Sequence, residues 1–110
     1  MKPSNYKQMK LLLFYDLPFN NAKARLNYSQ FRNNLLKLGY IQIQESIYLK
    51  HCFNHYCVKK NIMKIHEIAP EGDIRILPIT NKQYEEELFI IRGTKSIQEK
   101  MKNDSDLLII

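Results

Sequence analysis

The order of apolar and polar residues in the first third of the chain predicts a buried strand followed by a helix. Residues 10–17 (KLLLFYDL) form a nearly continuous apolar run that a proline closes, which is typical of a central strand with both faces covered. Asn20 and Asn21 both offer N-caps for a helix over residues 22–38, and Gly39 stands where a left-handed C-cap is expected.

The helix predicted for residues 22–38 has one apolar face. Its apolar residues recur at steps of four, three, four and three, and they are Ala24, Tyr28, Phe31, Leu35 and Leu38. Residues at this spacing lie along one side of a helix, so we expect this stripe to face a sheet.

The next stretch changes to a period of two and then loses its phase. After Tyr40, residues 41–44 alternate between apolar and polar side chains, and the alternation slips at Glu45 and Ser46 before Ile47 begins a second apolar group. A slip of this kind indicates a β-bulge or two short strands in succession.

The second half of the chain predicts another helix and further strands. A helix over about residues 55–68 would pack through Tyr56, Ile62, Met63 and Ile65. Residues 73–80 (DIRILPIT) form a strand that Pro78 places at or near a sheet edge, because proline donates no ladder hydrogen bond. Residues 81–87 predict a short helix or turn, and residues 88–92 (LFIIR) predict a strand.

This order of elements predicts an α+β fold with a ferredoxin-like β-α-β-β-α-β arrangement, in which the helices cover one face of an antiparallel sheet. We assign residues 1–93 to the ferredoxin-like core domain and residues 94–110 to a C-terminal extension. The extension ends in four aliphatic residues, 107–110, which we expect to form an extra strand that contacts the dimer mate or another partner.

The composition favours a polyanionic partner. The chain has 17 Lys and Arg residues against 11 Asp and Glu residues, a formal net charge of +6, although an AT-rich genome also produces chains rich in Lys, Asn and Ile. The longest apolar run, residues 11–15, is far shorter than the roughly 20 residues that span a bilayer. Residues 1–10 lack the apolar core of a secretory signal, so we expect a cytoplasmic protein with no membrane contact.

The first predicted helix carries basic residues and no acid. Arg25 and Arg32 are seven residues apart and share one face, which Lys23 and Lys37 extend. The alternative is an ordinary solvated helix face, but a helix without acids is more typical of a surface that follows phosphates. We therefore predict nucleic-acid contacts from Lys23, Arg25, Arg32 and Lys37, together with Lys50 of the next segment.

Asp16 carries the strongest chemical signal, because it ends an otherwise apolar strand. A buried, unpaired carboxylate is costly, so this residue needs a partner, a proton, water or a metal. The alternative is a solvated strand-end aspartate that helps to cap the following turn. One carboxylate makes no useful Mg²⁺ site, since that ion binds six oxygens, but two copies of Asp16 across a two-fold axis could hold one ion between protomers.

His51, Cys52, His55 and Cys57 form a local cluster with two interpretations. One is a zinc site, although structural zinc sites normally take paired ligands from two elements. The other is a loop that runs into a helix, with Cys57 as a small buried hydrophobic residue. Two cysteines do not make a disulfide framework, and we expect both to stay thiols in a reducing compartment.

Several motifs follow one another in a specific order. The first strand ends in Tyr15 and Asp16, Arg25 lies in the polar start of the first helix, and Gly39 ends that helix. A Gln-x-Ser-Ile-Tyr segment follows at residues 44–48. In this order the motifs resemble the small second protein of CRISPR adaptation, which is the dimeric partner of the spacer integrase.

The resemblance runs from about residue 10 to residue 93. Residues 72–84 (GDIRILPITNKQY) are similar to the fourth strand of that family and its following connection. A proline after Tyr-Asp-Leu, together with Phe31 and Arg32 in the first helix, is most similar to members that accompany RNA-guided single-protein effectors.

The resemblance implies a ferredoxin-like homodimer with C-terminal strands exchanged or added across the dimer. It implies a subunit of spacer acquisition that bridges two integrase dimers and holds the double-stranded DNA backbone without base readout. Family members are also described as Mg²⁺-dependent endonucleases acting on RNA or DNA, although this activity is dispensable for integration. Carried over to this chain, Asp16 would be the metal ligand and a catalytic residue, with Tyr15 beside it.

Two other functions remain open at this point. The first is a stand-alone, toxin-like endoribonuclease of the same fold, and the second is a nucleic-acid-binding module without catalysis. The apolar residues 107–110 favour the adaptation subunit, because an apolar terminus implies an obligate protein partner.

Overall fold

A computed structural model of the chain describes residues 8–93. Its four strands are β1 (Met9–Asp16), β2 (Ile41–Gln44), β3 (Ile47–Cys52) and β4 (Asp73–Thr80). Its three helices are α1 (Ala22–Lys37), α2 (His55–Ile68) and α3 (Asn81–Glu87). The strands form one antiparallel sheet in the order β2-β3-β1-β4, which confirms the predicted α+β, ferredoxin-like arrangement. No helix within residues 8–93 is both long and apolar enough to span a membrane.

Strand β1 lies in the centre of the sheet, as its apolar sequence predicts. It pairs with β3 along one edge and with β4 along the other, so backbone N–H and C=O groups on both sides of β1 form hydrogen bonds within the sheet. Leu11 and Leu13 are fully buried on the face that α1 and α2 cover. Because side chains alternate along a strand, Leu12 and Phe14 point to the opposite face.

Three apolar clusters form the core. The largest lies beneath α1 and α2 and contains Leu13, Tyr15, Phe31, Leu35, Tyr40, Tyr48 and Ile65. A second cluster on the same face contains Met9, Leu11, Cys52 and Val58. On the opposite face, Tyr84 of α3 packs against Ile41 and Leu49. The short helix α3 covers only this part of its face, and Phe14, nearer the Asp16 end of β1, is 36% exposed.

Among residues 8–93, Lys10 is the buried residue with a charged side chain. It lies on the α3 side of β1, where its Nζ is 3.3 Å from Nδ1 of His51 and 6.0 Å from the centre of the Tyr84 ring. The α3 helix therefore covers a polar contact as well as an apolar cluster, which accounts for full burial of a lysine in a central strand.

Helix α1 begins and ends where its capping residues predict. The Asn21 side chain accepts a hydrogen bond of 2.8 Å from the backbone N–H of Ala24. Gly39 follows the helix with a φ of +94°, a conformation that glycine adopts without strain. Phe31 and Leu35 of the predicted stripe are buried against the sheet, as expected.

The slip in alternation near Glu45 and Ser46 is a tight hairpin. These two residues form the turn between β2 and β3, and the pairing register shifts between Gln42 and Gln44. Both features that the sequence indicated, two short strands and a bulge, are therefore present.

Strand β4 and helix α3 also agree with prediction. β4 is an edge strand of the four-stranded sheet, as Pro78 requires. Thr80 and Gln83 form a capping box at the start of α3: the Thr80 hydroxyl accepts from the Gln83 N–H at 3.0 Å, and the Gln83 side chain accepts from the Thr80 N–H at 2.8 Å.

The packing predicted for α2 is partly wrong. Val58 and Ile65 are the buried residues of this helix, whereas Tyr56 and Met63 are 70% and 65% exposed. At about 100° per residue, Tyr56 and Met63 fall on the side of the helix away from Val58. The sheet therefore receives the aliphatic side chains of Val58 and Ile65, and Tyr56 and Met63 face solvent.

The strand predicted for residues 88–92 is also wrong. These residues follow α3 and form no β-ladder, because none of the strands within residues 8–93 pairs with them through backbone hydrogen bonds. The predicted C-terminal extension, residues 94–110 with its terminal strand, lies outside the described residues.

We expect Leu35→Ala to lower the free energy of unfolding by about 2–5 kcal/mol, because Leu35 is fully buried in the largest core cluster. Urea unfolding followed by circular dichroism measures this loss. Leu26→Ala is the matched control, since Leu26 lies on the same helix and is 56% exposed. A similar loss for both variants would contradict the packing of α1 described above.

Candidate functional site

Asp16 is the last residue of β1, and its side chain is exposed on the face away from α1 and α2. In the sheet register it lies opposite Asp73, the first residue of β4. Two carboxylates from neighbouring strands therefore lie side by side at one end of these strands, on the open face of the sheet. A shallow groove at this end is lined by Phe14, Tyr15, Asp16, Ser46, Ile47, Asp73 and Arg75.

Arg75 forms a bidentate ion pair with Asp73, the second carboxylate of the pair. Its Nε donates to Oδ1 of Asp73 at 2.8 Å and its terminal nitrogen donates to Oδ2 at 3.0 Å. These hydrogen bonds hold the pKa of the Asp73 carboxyl below its usual range and raise the pKa of the Arg75 guanidinium. Within residues 8–93 the Asp16 carboxylate has no hydrogen-bond or ion-pair partner, so of the two carboxylates that line the groove it is the unengaged one.

Tyr15 lies on the other side of β1 from Asp16. Its ring packs edge-on against Tyr28 and Phe31, and its hydroxyl lies 3.4 Å from that of Tyr48. Burial, with the hydrogen bond to Tyr48, raises the pKa of the Tyr15 hydroxyl. A catalytic role for Tyr15 stays a prediction, and its position in the core favours a supporting role behind the strand end.

The β2–β3 hairpin and Gly72 fix the end of β1. The backbone N–H of Tyr15 donates to the carbonyl of Ser46 at 3.1 Å. Gly72 has a φ of +143°, and a Cβ at this position would meet the side chain of Leu17 and lie 3.3 Å from the carbonyl oxygen of Asp16. Only glycine allows this close approach between the start of β4 and the end of β1.

The metal-binding capacity of one chain is small. Within the described part of the chain, no group of three or more His, Cys, Asp or Glu side chains lies close enough to hold an ion. Asp16 supplies one free carboxylate, and Asp73 is engaged by Arg75. The oxygens that Mg²⁺ prefers are thus present, but one chain supplies too few of them for a closed site.

The predicted nucleic-acid-binding residues divide between the two ends of α1. Lys23 and Arg25 are exposed in its first turn, at the same end of the sheet as Asp16. Lys37 is exposed in the last turn, about 21 Å further along the helix axis. Lys50, on β3, is half-buried with its Nζ beside Gly39, also at the far end.

Arg32 is the predicted contact that the structure turns inward. It is half-buried, and its guanidinium donates to Oε1 of Gln42 at 3.2 Å. The Gln42 amide in turn donates to the carbonyl of Glu45 at 3.1 Å. Arg32 therefore joins α1 to the β2–β3 hairpin, and part of its hydrogen-bonding capacity is used within the fold.

The expectation that both cysteines remain thiols is wrong in this structure, where Cys52 and Cys57 form a disulfide with Cα atoms 5.4 Å apart. Cys52 ends β3 and Cys57 lies in the first turn of α2, and the sharp change of direction between the two elements brings the residues together. The spacing of the cysteines in the sequence does not show this pairing. Because the Cys52 and Cys57 sulfurs are bonded to each other, they are not available as zinc ligands beside His51 and His55.

Sequence reasoning missed Asp73 and Arg75 as members of the groove. The sequence pattern predicts Asp73 only as the start of a strand, whereas its place opposite Asp16 follows from the antiparallel register of β1 and β4. The turn at Gly72 was the available signal, because it marks where β4 begins.

Comparison with known proteins gives consistent results. A family model described as CRISPR associated protein Cas2 matches residues 9–87, from the start of β1 to the end of α3. A Campylobacter jejuni protein called CRISPR-associated endoribonuclease Cas2 is 36% identical over 104 residues, which cover 94% of this chain and 72% of that protein. Proteins of the same name from Ligilactobacillus salivarius and Treponema denticola are 33% and 35% identical, over 93% of this chain and 99% and 100% of their own.

We expect Arg75→Gln to raise the pKa of the Asp73 carboxyl towards its ordinary value, because the substitution removes the charged bidentate donor. The carboxyl ¹³C shift of Asp73, followed by NMR against pH, measures the change. In the native chain the depressed pKa contributes stability above the unfolded-state value of about 4, and this contribution is lost as pH falls through the folded value.

Arg92→Gln is the matched control, since Arg92 is exposed and lies outside the groove. An unchanged titration of Asp73 in the Arg75 variant would contradict the assignment of Arg75 as the group that occupies this carboxylate.

Proposed function

We propose a function for this chain from one premise: the chain belongs to the CRISPR-associated Cas2 family. The proposed function is that of a spacer-acquisition subunit, which bridges integrase dimers and binds the protospacer duplex. We further propose that the subunit retains a metal-dependent endonuclease activity centred on Asp16.

One observation carries this proposal. The free carboxylate of Asp16 stands at the edge of a sheet face that α3 leaves partly uncovered. A second copy of the chain on that face, related by a two-fold axis that passes beside Asp16, would bring a second Asp16 to the same place. The shared site would then need two chains, in accord with the limited ligand set of one chain.

The exposed apolar residues favour a homodimer through this face. Phe14 and Leu77, on the open side of β1 and β4, are 36% and 49% exposed. Beyond α3, Phe89 and Ile91 are 78% and 89% exposed and lie beside a groove that Leu12 and Ile47 also line. Adjacent apolar side chains exposed to this extent are typical of a protein interface.

Magnesium is the proposed cofactor. Two Asp16 carboxylates, one from each protomer, suit an ion that usually binds one or two carboxylates and keeps several waters. When bound, such an ion supplies Lewis-acid polarisation of a phosphate and activation of water. The chain's own contribution is to hold Asp16 in place, through the Tyr15–Ser46 hydrogen bond and the close approach of Gly72.

The basic residues suit contacts with a nucleic-acid backbone. Lys23 and Arg25 flank the end of the molecule that carries Asp16, and α1 contains no acid that would neutralise them. Lys37 and Lys50 extend positive charge towards the opposite end. Contacts of this kind position a duplex without reading its bases, which a subunit handling arbitrary sequences requires.

A stand-alone endoribonuclease is the second candidate, favoured by the name that the relatives carry. It uses the same Asp16 site and basic surface, acts on RNA and needs no integrase. The two functions differ in substrate and partner rather than in the residues involved.

We expect Asp16→Asn to lower the Mg²⁺-dependent cleavage of RNA or duplex DNA roughly 100-fold, because it removes the carboxylate charge at the proposed site. Gel analysis of labelled substrates with Mg²⁺ or with a chelator measures this activity. Glu86→Gln is the control for loss of an exposed carboxylate. Tyr15→Phe keeps the buried ring and should retain cleavage if Tyr15 only supports the strand end.

Spacer integration with the cognate integrase, a short duplex and Mg²⁺ then separates the two candidates. Equal integration by the native chain and by Asp16→Ala assigns a scaffold role to the protein and removes Asp16 from its main task. If the variant fails to integrate, the metal site is required for assembly or chemistry. Integration that does not depend on adding this protein would reject the adaptation function and favour the endoribonuclease.

We expect the chain to be a dimer at micromolar concentration and Ile91→Glu to weaken dimerisation at least tenfold, because each buried aliphatic side chain contributes about 1.5–3 kcal/mol. Sedimentation equilibrium measures the dissociation constant. Met63→Glu is the matched control, since Met63 is 65% exposed on α2, away from the open face. A monomeric native chain would contradict the shared Asp16 site.

A further inference from the structure

The junction between β3 and α2 holds two sulfurs in different environments. Cys52, the last residue of β3, is fully buried in the cluster that contains Met9, Leu11 and Val58. Cys57, in the first turn of α2, is only half-buried. Their Cα atoms are 5.4 Å apart, within the range that a disulfide requires, so bond formation needs no backbone rearrangement.

The surroundings of Cys57 favour its thiolate. It lies at the N-terminus of a helix with no acid in the first turn, where the backbone dipoles favour negative charge. Asn61, one turn further along α2, is held by a hydrogen bond of 2.9 Å to the carbonyl of Cys57. Its amide Nδ2 lies 3.5 Å from the Cys57 sulfur and 3.6 Å from the Cys52 sulfur.

We propose that Cys52 and Cys57 form a reversible redox modification site, in which Cys57 is the attacking thiol and Cys52 the resolving thiol. The co-reactant is a low-molecular-weight disulfide. This inference does not depend on the proposed nuclease or adaptation function, since neither residue lies at the Asp16 groove.

The reaction consists of two balanced exchanges. The Cys57 thiolate attacks one sulfur of the small disulfide, forming a mixed disulfide and releasing one small thiolate. The Cys52 thiolate then attacks the Cys57 sulfur, which closes the Cys52–Cys57 bond and releases the second small thiolate. The two protons of the protein thiols pass to the two products, so the small disulfide is reduced and the protein is oxidised by two electrons.

The order of attack follows from access. A small disulfide can approach Cys57, whereas Cys52 has no exposed surface and can react only with a sulfur already inside the junction. Reduction by an excess of small thiol runs the same exchanges in reverse, and it begins at the more accessible sulfur of Cys57.

The test uses the full chain, reduced and then treated with oxidised glutathione, followed by intact mass spectrometry. For the native chain we expect the loss of two hydrogens and no lasting adduct. Cys52→Ser should accumulate one glutathione on Cys57, because the resolving thiol is absent. Cys57→Ser should react at least about tenfold more slowly, because its remaining thiol is buried.

Equal rates of adduct formation in the two serine variants would overturn the assignment, as would two stable glutathione adducts on the native chain. A second measurement needs no substitution: brief alkylation of the reduced native chain, followed by peptide mapping. We expect at least about tenfold faster labelling of Cys57 than of Cys52. Equal labelling, or faster labelling of Cys52, would reject the proposal even if a variant failed to fold.

Discussion

The pairing of β1 with one strand on each edge determines the position of both chemically distinctive regions. At the C-terminal end of β1, the register with β4 sets Asp16 opposite Asp73. At its N-terminal end, the register with β3 sets Met9 opposite Cys52, beside the start of α2. Both regions therefore depend on the register that β1 keeps with its two neighbours, because a one-residue slip would reverse the facing of every side chain in the strand.

Features with local causes could be predicted from the sequence. The bounds of α1 follow from Asn21 and Gly39, which cap it through contacts within a few residues. The β2–β3 hairpin follows from a visible loss of alternation, and the edge position of β4 follows from Pro78. The free carboxylate at Asp16 belongs to this group as well, since an acid closing an apolar strand is evident in one short stretch.

Features that depend on contacts distant in sequence could not be predicted. The hydrogen bonds between Arg75 and Asp73 matter to the site because Asp73 lies opposite Asp16, and this contact joins residues 57 positions apart in the sequence. The choice of Val58 over Tyr56 on α2 depends on which helix face the sheet receives. The segment 88–92 has the composition of a strand, but a strand exists only where a neighbour completes its hydrogen bonds.

Under the proposed function, Arg75 couples hydrolysis to assembly. By engaging both oxygens of Asp73, it leaves each chain with Asp16 as the one free carboxylate of the described groove. Two such carboxylates meet only when the open sheet faces of two chains come together. The proposed hydrolysis then depends on the dimer and on the Asp16 carboxylate itself, whereas the proposed scaffold role uses the dimer and the basic surface. The two proposed activities therefore share the dimer interface, and the integration of spacers by an Asp16 variant shows whether they also share Asp16.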